Sequence, residues 1–541
     1  MRDYIKTALV CFVAGLISVV VAYCIKSSYY YLKFSLVSMF FSTLLVVISR
    51  ITIKFGFIVL KQRRIQKNST NNKIDILVIG AGSAASMFLE DALTSKRNYN
   101  IIGLIDDDDR KINSYINGKQ ILGNRDDIVR ICDEYNVEEI ILAIPSLSSV
   151  ERKKIIEICT ETKCKIKTIP GIDQIMEKGI SNQIRSVNVE DLLARDPIRL
   201  DDKGIKDIIS GKTIMVTGGG GSIGSELCRQ VTRYNPKLLI IVDIYENNAY
   251  DLQNELKTDF PEQDMKVLIA SVRDKDRMDA IFQKYKPHIV FHAAAHKHVP
   301  LMEVSPGEAI KNNIHGTYNV AKCADKHNVE KFVMISTDKA VNPTNVMGAT
   351  KRFCEFIVQS MQKISNTQFV SVRFGNVLGS NGSVIPLFKR QIEKGGPVTL
   401  THKDITRFFM TIPEAAQLVI QASCFAKGGE IFVLDMGEPV KIYDLAKKLI
   451  RLSGYEPETE IEIKVTGLRD GEKLYEELLM SEEGLSKTSH SKIFIGKQLD
   501  VDLQTVDSKI QMLDEAVDSG DSTKIMTALS LAVPTYTPDF K

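Results

Sequence analysis

The hydrophobic and polar positions divide this chain before any chemistry is considered. Two uncharged runs open it, at residues 7–25 and 34–49. The first is long enough to cross a bilayer core of ~30 Å as a helix. Arg50 and Lys54 are placed to snorkel and extend the second. Tyr29, Tyr30 and Tyr31 lie between the runs, where interfacial aromatics belong. A basic cluster at residues 61–67 follows, and by the positive-inside rule it stays cytoplasmic with everything after it. A cleaved signal peptide is a competing reading of the first run. The second run and the lack of a small-residue cleavage site count against it. The expectation is a transmembrane hairpin over residues 1–60 and a basic, polar linker over 61–73. That places the protein at the inner (cytoplasmic) membrane as a multi-pass protein, with its later domains on the cytoplasmic side.

From residue 74 the pattern changes to short apolar runs, each closed by glycine or acid and followed by helical spacing. The runs at 76–79, 101–105 and 139–144 read as buried strands. Gly80-Ala81-Gly82-Ser83-Ala84-Ala85 follows the first, a dinucleotide fingerprint with alanine in its third place. Asp106 to Asp109 close the second, either as a ribose-binding acid or as a solvated turn. Residues 74–200 therefore read as a Rossmann-like domain and a connector, its nucleotide binding left open.

A second set of strands begins at 212–216 and continues at 238–242, 266–270, 288–291 and 332–335. After the first strand, Gly218, Gly221 and Gly224 keep the Thr-Gly-x-x-Gly-x-x-Gly spacing, with Ser222 and Ile223 between them. The glycines permit a tight turn and close approach of a pyrophosphate, and the helix start behind them offers free N–H groups. Asp243 stands ~20 residues on, where an acid binds the adenosine ribose. No arginine follows it, so NAD is favoured over NADP. Asp274 is a candidate adenine contact. Ala293 and Ala294 are small enough for a cofactor to lie against the backbone, and His292 reads as a core histidine. Lys297 and His298 are either substrate contacts or solvated. The strand at 332–335 runs into Ser336-Thr337-Asp338-Lys339, and a helix begins before Met347. Met347 and Lys351 are four apart and share a helix face. A hydroxyl, a carboxyl and two amines at a strand end suggest proton transfer, against a plain polar loop with a surface helix. Residues 201–498 read as one catalytic domain and 499–541 as a polar helical tail.

Composition narrows this picture. At 541 residues more than one domain is expected, and 44% hydrophobic residues allow ordinary cores. A net charge of +3 favours neither nucleic acid nor an acidic partner. The nine cysteines form no Cys-x-x-Cys and no zinc-spaced cluster, so reduced thiols and no metal site are expected.

The glycine loop, Asp243, Asn313-Ile-His-Gly-Thr317 and Lys351 resemble the extended short-chain dehydrogenase/reductase family, with Met347 where that family carries tyrosine. A thioether neither gives nor takes a proton. The runs at 336–341, 343–351, 373–386, 406–410 and 467–475, with that methionine, are similar to membrane-anchored CapD-like polysaccharide-biosynthesis proteins. These are nucleotide-sugar 4,6-dehydratases acting on UDP-N-acetylglucosamine. The resemblance implies an α/β architecture: N-terminal transmembrane helices, then two Rossmann-like doubly wound domains, the second with a small C-terminal substrate subdomain. It implies NAD, a UDP-sugar substrate, and a homodimer or higher homo-oligomer.

It also implies roles. Thr337 hydrogen-bonds the C4 oxygen, Asp338 is the acid at the C6 oxygen, and Lys339 is the C5 base, which must be neutral to act. Lys351 binds the nicotinamide ribose. Asn376 and the 379–383 loop with Ser383 form the nucleotide-sugar floor. Arg407 and Arg469 clamp the diphosphate, and Glu472 meets the uridine ribose. Two features depart from the family: two spans stand where members carry four, and Asp470 replaces a proline. A 4-epimerase and a non-catalytic membrane-bound nucleotide-sugar sensor or scaffold are the alternatives.

Overall fold

The computed structural model describes residues 73–94, 99–169, 184–193, 198, 200–477, 484–496 and 500–538, with scattered positions between 17 and 52. Its backbone forms two compact units, residues 1–76 with 90–102 and residues 77–89 with 103–541. In the first unit, the described positions between 17 and 52 are helical. Most of residues 7–25, the three tyrosines, the basic cluster and the polar linker lie outside the described residues, as does part of 34–49. Among the described residues, no helix is long and apolar enough to cross a membrane. This runs against the inner-membrane location expected from the sequence, while the expected transmembrane hairpin itself falls largely outside the described residues. An uncharged run shows only that a segment lacks charge; a span needs one continuous apolar helix of ~20 residues.

Two sheets dominate the rest. The seven-stranded sheet has the order β3-β4-β2-β1-β5-β6-β7. Its strands are β1 Ile74–Ile79, β2 Tyr99–Ile105, β3 Tyr115–Ile116, β4 Lys119–Gly123, β5 Glu139–Leu142, β6 Lys165–Thr168 and β7 Arg185–Ser186. β5 is buried along its whole length, as a strand covered on both faces must be.

The nine-stranded sheet starts with β8 Thr213–Thr217, β9 Leu238–Asp243, β10 Met265–Ile269, β11 Ile289–His292, β12 Lys331–Ile335 and β13 Gln368–Arg373. Its order is β10-β9-β8-β11-β12-β13, then the strands Ile431–Leu434, Ile493–Gly496 and Leu485–Lys487. The first seven run parallel and the last two antiparallel. The order reverses between β8 and β11, which opens a crevice at their carboxyl ends.

The helix Val346–Gln362 runs beneath that crevice with residues 346–361 all buried. The Asn345 side chain caps it by accepting from Gly348 N at 2.8 Å. Residues 499–541 are not polar all round. The helices Leu503–Asp518 and Ser522–Ala532 bury Val506, Leu513 and Leu529 in the same core as Phe353 and Ile357. A separate apolar cluster, with Phe388, Leu400, Leu445 and Ile463, supports the short ribbon that carries Arg407.

Candidate active site

The crevice holds a cleft of about 720 Å³ that runs from the glycine loop after β8 to the turn after β12. Gly218 has φ +69°, and a Cβ there would lie 2.6 Å from Ala294 N. Only glycine satisfies both demands, so this loop passes close beneath Ala293 and Ala294, which line the cleft with it. Gly221 precedes the helix Ser222–Thr232 without any side-chain cap. The open first-turn N–H groups of that helix, and Gly221, Ser222, Ile223 and Gly224 along the cleft wall, suit a pyrophosphate. Asp243 ends β9 and accepts from Gly220 N at 2.7 Å and Tyr245 N at 2.8 Å. A carboxylate fixed there repels a 2′-phosphate and keeps lone pairs for ribose hydroxyls. These features fit NAD.

Asp274 lies outside the cleft. Its carboxylate caps the helix Lys275–Tyr285, accepting from Arg277 N at 3.0 Å, and Ser271 and Val272 line the cleft instead. His292 is fully buried between Thr217 Oγ1 at 2.8 Å and Thr317 Oγ1 at 3.1 Å. Burial pushes its pKa down to about 3, so it is a neutral strut. Asn313 accepts from His296 N at 2.7 Å and donates to His296 O at 3.0 Å, which fixes the segment carrying Lys297 and His298. Both of these line the cleft. A Cβ on Gly382 would lie 2.4 Å from His298 Cε1, and Asn381 N donates to Ser222 Oγ at 3.2 Å. The 379–383 loop with Ser383 thus lies across the cofactor-side helix start, with Asn376 beside it.

The turn after β12 gathers the groups expected from the sequence to transfer protons. Thr337, Lys339, Met347 and Lys351 line the cleft, and Asp338 sits behind them, 1% exposed. Thr337 Oγ1 donates to Asp338 Oδ1 at 2.8 Å, and Lys339 Nζ donates to the same oxygen at 3.0 Å. Asp338 Oδ2 is buried with no hydrogen-bond partner. Burial pushes the Asp338 carboxyl above the usual carboxylate range, against the pull of Lys339. Burial pushes the Lys351 amine below its ordinary value.

Lys339 departs from the neutral base expected of it. Burial alone favours the amine, but Asp338 and then Glu476 hold its pKa above the ordinary lysine value. Glu476 was not among the residues singled out from the sequence. Its Oε1 lies 3.1 Å from Lys339 Nζ and 3.2 Å from Arg407 Nε.

The remaining candidates cluster beyond Lys339. Arg407, Arg469 and Glu472 line a smaller cavity of about 120 Å³ together with Lys339 and Glu476. Arg407 also meets Glu472 Oε1 at 3.2 Å and donates to Thr406 O at 2.8 Å, so its guanidinium is committed to the protein. Glu472 Oε2 accepts from Arg469 N at 3.2 Å, while the Arg469 side chain is exposed. In the seven-stranded domain, three of the four aspartates after β2 meet partners within the domain. Asp106 accepts from Ala81 N at 2.8 Å and from Lys111 at 3.2 Å, Asp107 pairs with Arg125 at 2.7 Å, and Asp108 pairs with Arg110 at 2.9 Å.

A family model described as polysaccharide biosynthesis protein matches residues 214–498, and one described as CoA-binding domain matches residues 1–170. The probable polysaccharide biosynthesis protein EpsC of Bacillus subtilis (strain 168) is 52% identical over 430 residues, 79% of this chain and 72% of that protein. A UDP-N-acetylglucosamine 4,6-dehydratase (inverting) of Campylobacter jejuni serotype O:23/36 is 35% identical over 281 residues, 51% of this chain and 80% of its own. A UDP-glucose 4-epimerase of Rickettsia canadensis is 37% identical over 279 residues, 50% of this chain and 79% of its own. Among solved structures, Pen from Bacillus thuringiensis has a TM-score of 0.51 at 36% identity, covering 55% of this chain and 92% of that one. The chain belongs to the polysaccharide biosynthesis protein family, as a CapD/EpsC-like protein with an extended short-chain dehydrogenase/reductase fold.

Proposed function

We propose that this chain dehydrates a UDP-N-acetylhexosamine, UDP-N-acetylglucosamine above all, to the 4-keto-6-deoxy sugar nucleotide for capsule, O-antigen or protein-glycan synthesis. The observation that carries the reading is the Thr337–Asp338–Lys339 array around a buried Asp338, with Met347 where a tyrosine base would stand. The similarity to a 4,6-dehydratase supports it. NAD held by the Gly218–Gly224 loop, Asp243 and Lys351 would supply a hydride acceptor for C4 and a hydride donor for C6.

The protein's share is proton transfer. The C4 hydroxyl proton leaves through Thr337 Oγ1 to Asp338, whose raised pKa and unpartnered Oδ2 suit it to hold a proton. The C4 ketone acidifies C5–H, and Lys339 removes that proton from its minor free-amine state, which Asp338 opposes less once it has taken the C4 proton and lost its charge. Asp338 gives its proton to the C6 oxygen, which departs as water. Lys339 then returns a proton to C5, so both side chains end as they began and the sugar has lost one water. Lys351 holds the nicotinamide ribose, the 379–383 loop and Asn376 form the sugar floor, and the exposed Arg469 meets the diphosphate, with Arg407 behind it held by Glu472 and Glu476.

Incubating the purified chain with NAD and UDP-N-acetylglucosamine tests this. The expected product is lighter by one water and carries a ketone carbon. A product of unchanged mass with inverted C4 overturns dehydration in favour of epimerisation, the activity named for the Rickettsia relative.

A further inference from the structure

We propose that Glu476 is a positioning residue whose single carboxylate oxygen holds Lys339 on the acid–base side and Arg407 on the phosphate side, so that the two cations act as one unit. The proposal rests on the dehydratase reading for what Lys339 does, but not for how Lys339 is held.

The geometry is direct. The Glu476 side chain is 3% exposed, and its Oε1 lies 3.1 Å from Lys339 Nζ and 3.2 Å from Arg407 Nε. A carboxylate that deep is costly unless it is paired, and here both partners are residues with assigned work. The other charged groups around it are few. Asp338 lies on the far side of Lys339 at 3.0 Å, and Glu472 lies on Arg407 at 3.2 Å. Lys473 points its ammonium to Val341 O at 3.0 Å, and Arg469 lines the same small cavity.

Two carboxylates on one ammonium keep the proton on Lys339, and Arg407 opposes them as a like charge held beside it on the same Glu476 oxygen. Glu476 and Arg407 therefore push Lys339 in opposite directions. Truncating either one of a merely structural pair would loosen the site without moving the lysine's titration in opposite senses.

The test is the pH dependence of Lys339 acylation by trace acetic anhydride in the full chain, read by peptide mass spectrometry. Only the neutral amine reacts, and no substrate is needed. Glu476→Gln is expected to move the midpoint down by about 1–3 pH units, and Arg407→Gln to move it up. Midpoints that stay put, or move the same way, overturn the proposal. If Glu476→Gln fails to fold, Arg407→Gln decides: a midpoint that does not rise overturns it. The water-loss assay judges the dehydratase reading separately, so either can fail without the other.

Discussion

At the scale of single residues, the proposed mechanism separates groups that would move protons from groups that only shape the cleft. Lys339→Ala is expected to abolish exchange of the C5 proton with solvent while leaving NAD bound, because Gly218, Ser222 and Asp243 are untouched. Exchange measured by mass gain in deuterated water, persisting in that variant, sinks the base assignment. Met347 is 4% exposed and carries no titratable group. Met347→Leu conserves its volume and is expected to keep kcat within about threefold. A loss beyond a hundredfold would give the thioether a role that the present reading denies it. Beneath both lies Glu355, wholly buried, which accepts from Ser336 Oγ at 2.7 Å and pairs with Arg373 at 2.7 Å and Arg352 at 2.9 Å. Burial pushes its carboxyl up, but the two guanidiniums, Arg373 foremost, bring it down from 4.5 to about 2. A depressed carboxyl stabilises the fold above its unfolded pKa and loses that contribution as pH falls towards its folded pKa. The shift corresponds to about 3 kcal/mol, present above pH ~5 and lost towards pH 2. Glu355→Gln is expected to lower the denaturation midpoint at pH 7 and to flatten its fall between pH 5 and 3. A variant whose acid profile runs parallel to the parent's counts against this account.

At the scale of elements, what the sequence discloses follows distance along the chain. The glycine loop, Asp243 and the Thr337–Lys339 turn are legible because each strand end and its chemistry lie within a few residues. The burial of Val346–Gln362 is legible only in part: Met347 and Lys351 mark one face, whereas residues 346–361 are all buried because the sheet and several other helices surround them. Asp274 misleads because an acid shortly after a strand serves equally as a helix cap, and here it does. Glu476 escapes notice because it follows Tyr475 in a segment with no strand or helix of its own, and only the packing of the C-terminal subdomain brings it to Lys339. Asn345 joins two such segments. Its Oδ1 caps the buried helix and its Nδ2 donates to Gly471 O at 3.2 Å, next to Glu472. Asn345→Ala is expected to cost about 1 kcal/mol through the cap and to raise KM for the UDP-sugar more than it lowers kcat. Stability and kinetics both unchanged would show that neither bond matters.

At the scale of the whole molecule, the C-terminal helices are the part whose role a reading by composition understates. Charged and polar residues make up about half of them, yet the apolar positions recur at helical spacing and meet a core built from residues far upstream. Leu513 and Leu529 are both fully buried and share one cluster with Phe353 and Ile357 of the helix that carries Met347 and Lys351. His315 and Asp514 also meet across this contact, at 2.6 Å. Loss of a buried leucine side chain costs about 2–5 kcal/mol, because the cavity left behind closes only in part. Leu513→Ala and Leu529→Ala are each expected to lose that much stability in denaturant unfolding of the full chain, and the solvent-facing Leu531→Ala, 64% exposed, well under 1 kcal/mol. The helix under load also holds the cofactor-side lysine, so NAD affinity is expected to fall in the two buried variants before global unfolding begins. Equal effects from Leu529 and Leu531 would mean that these helices rest on the surface of the catalytic domain and do not form its floor.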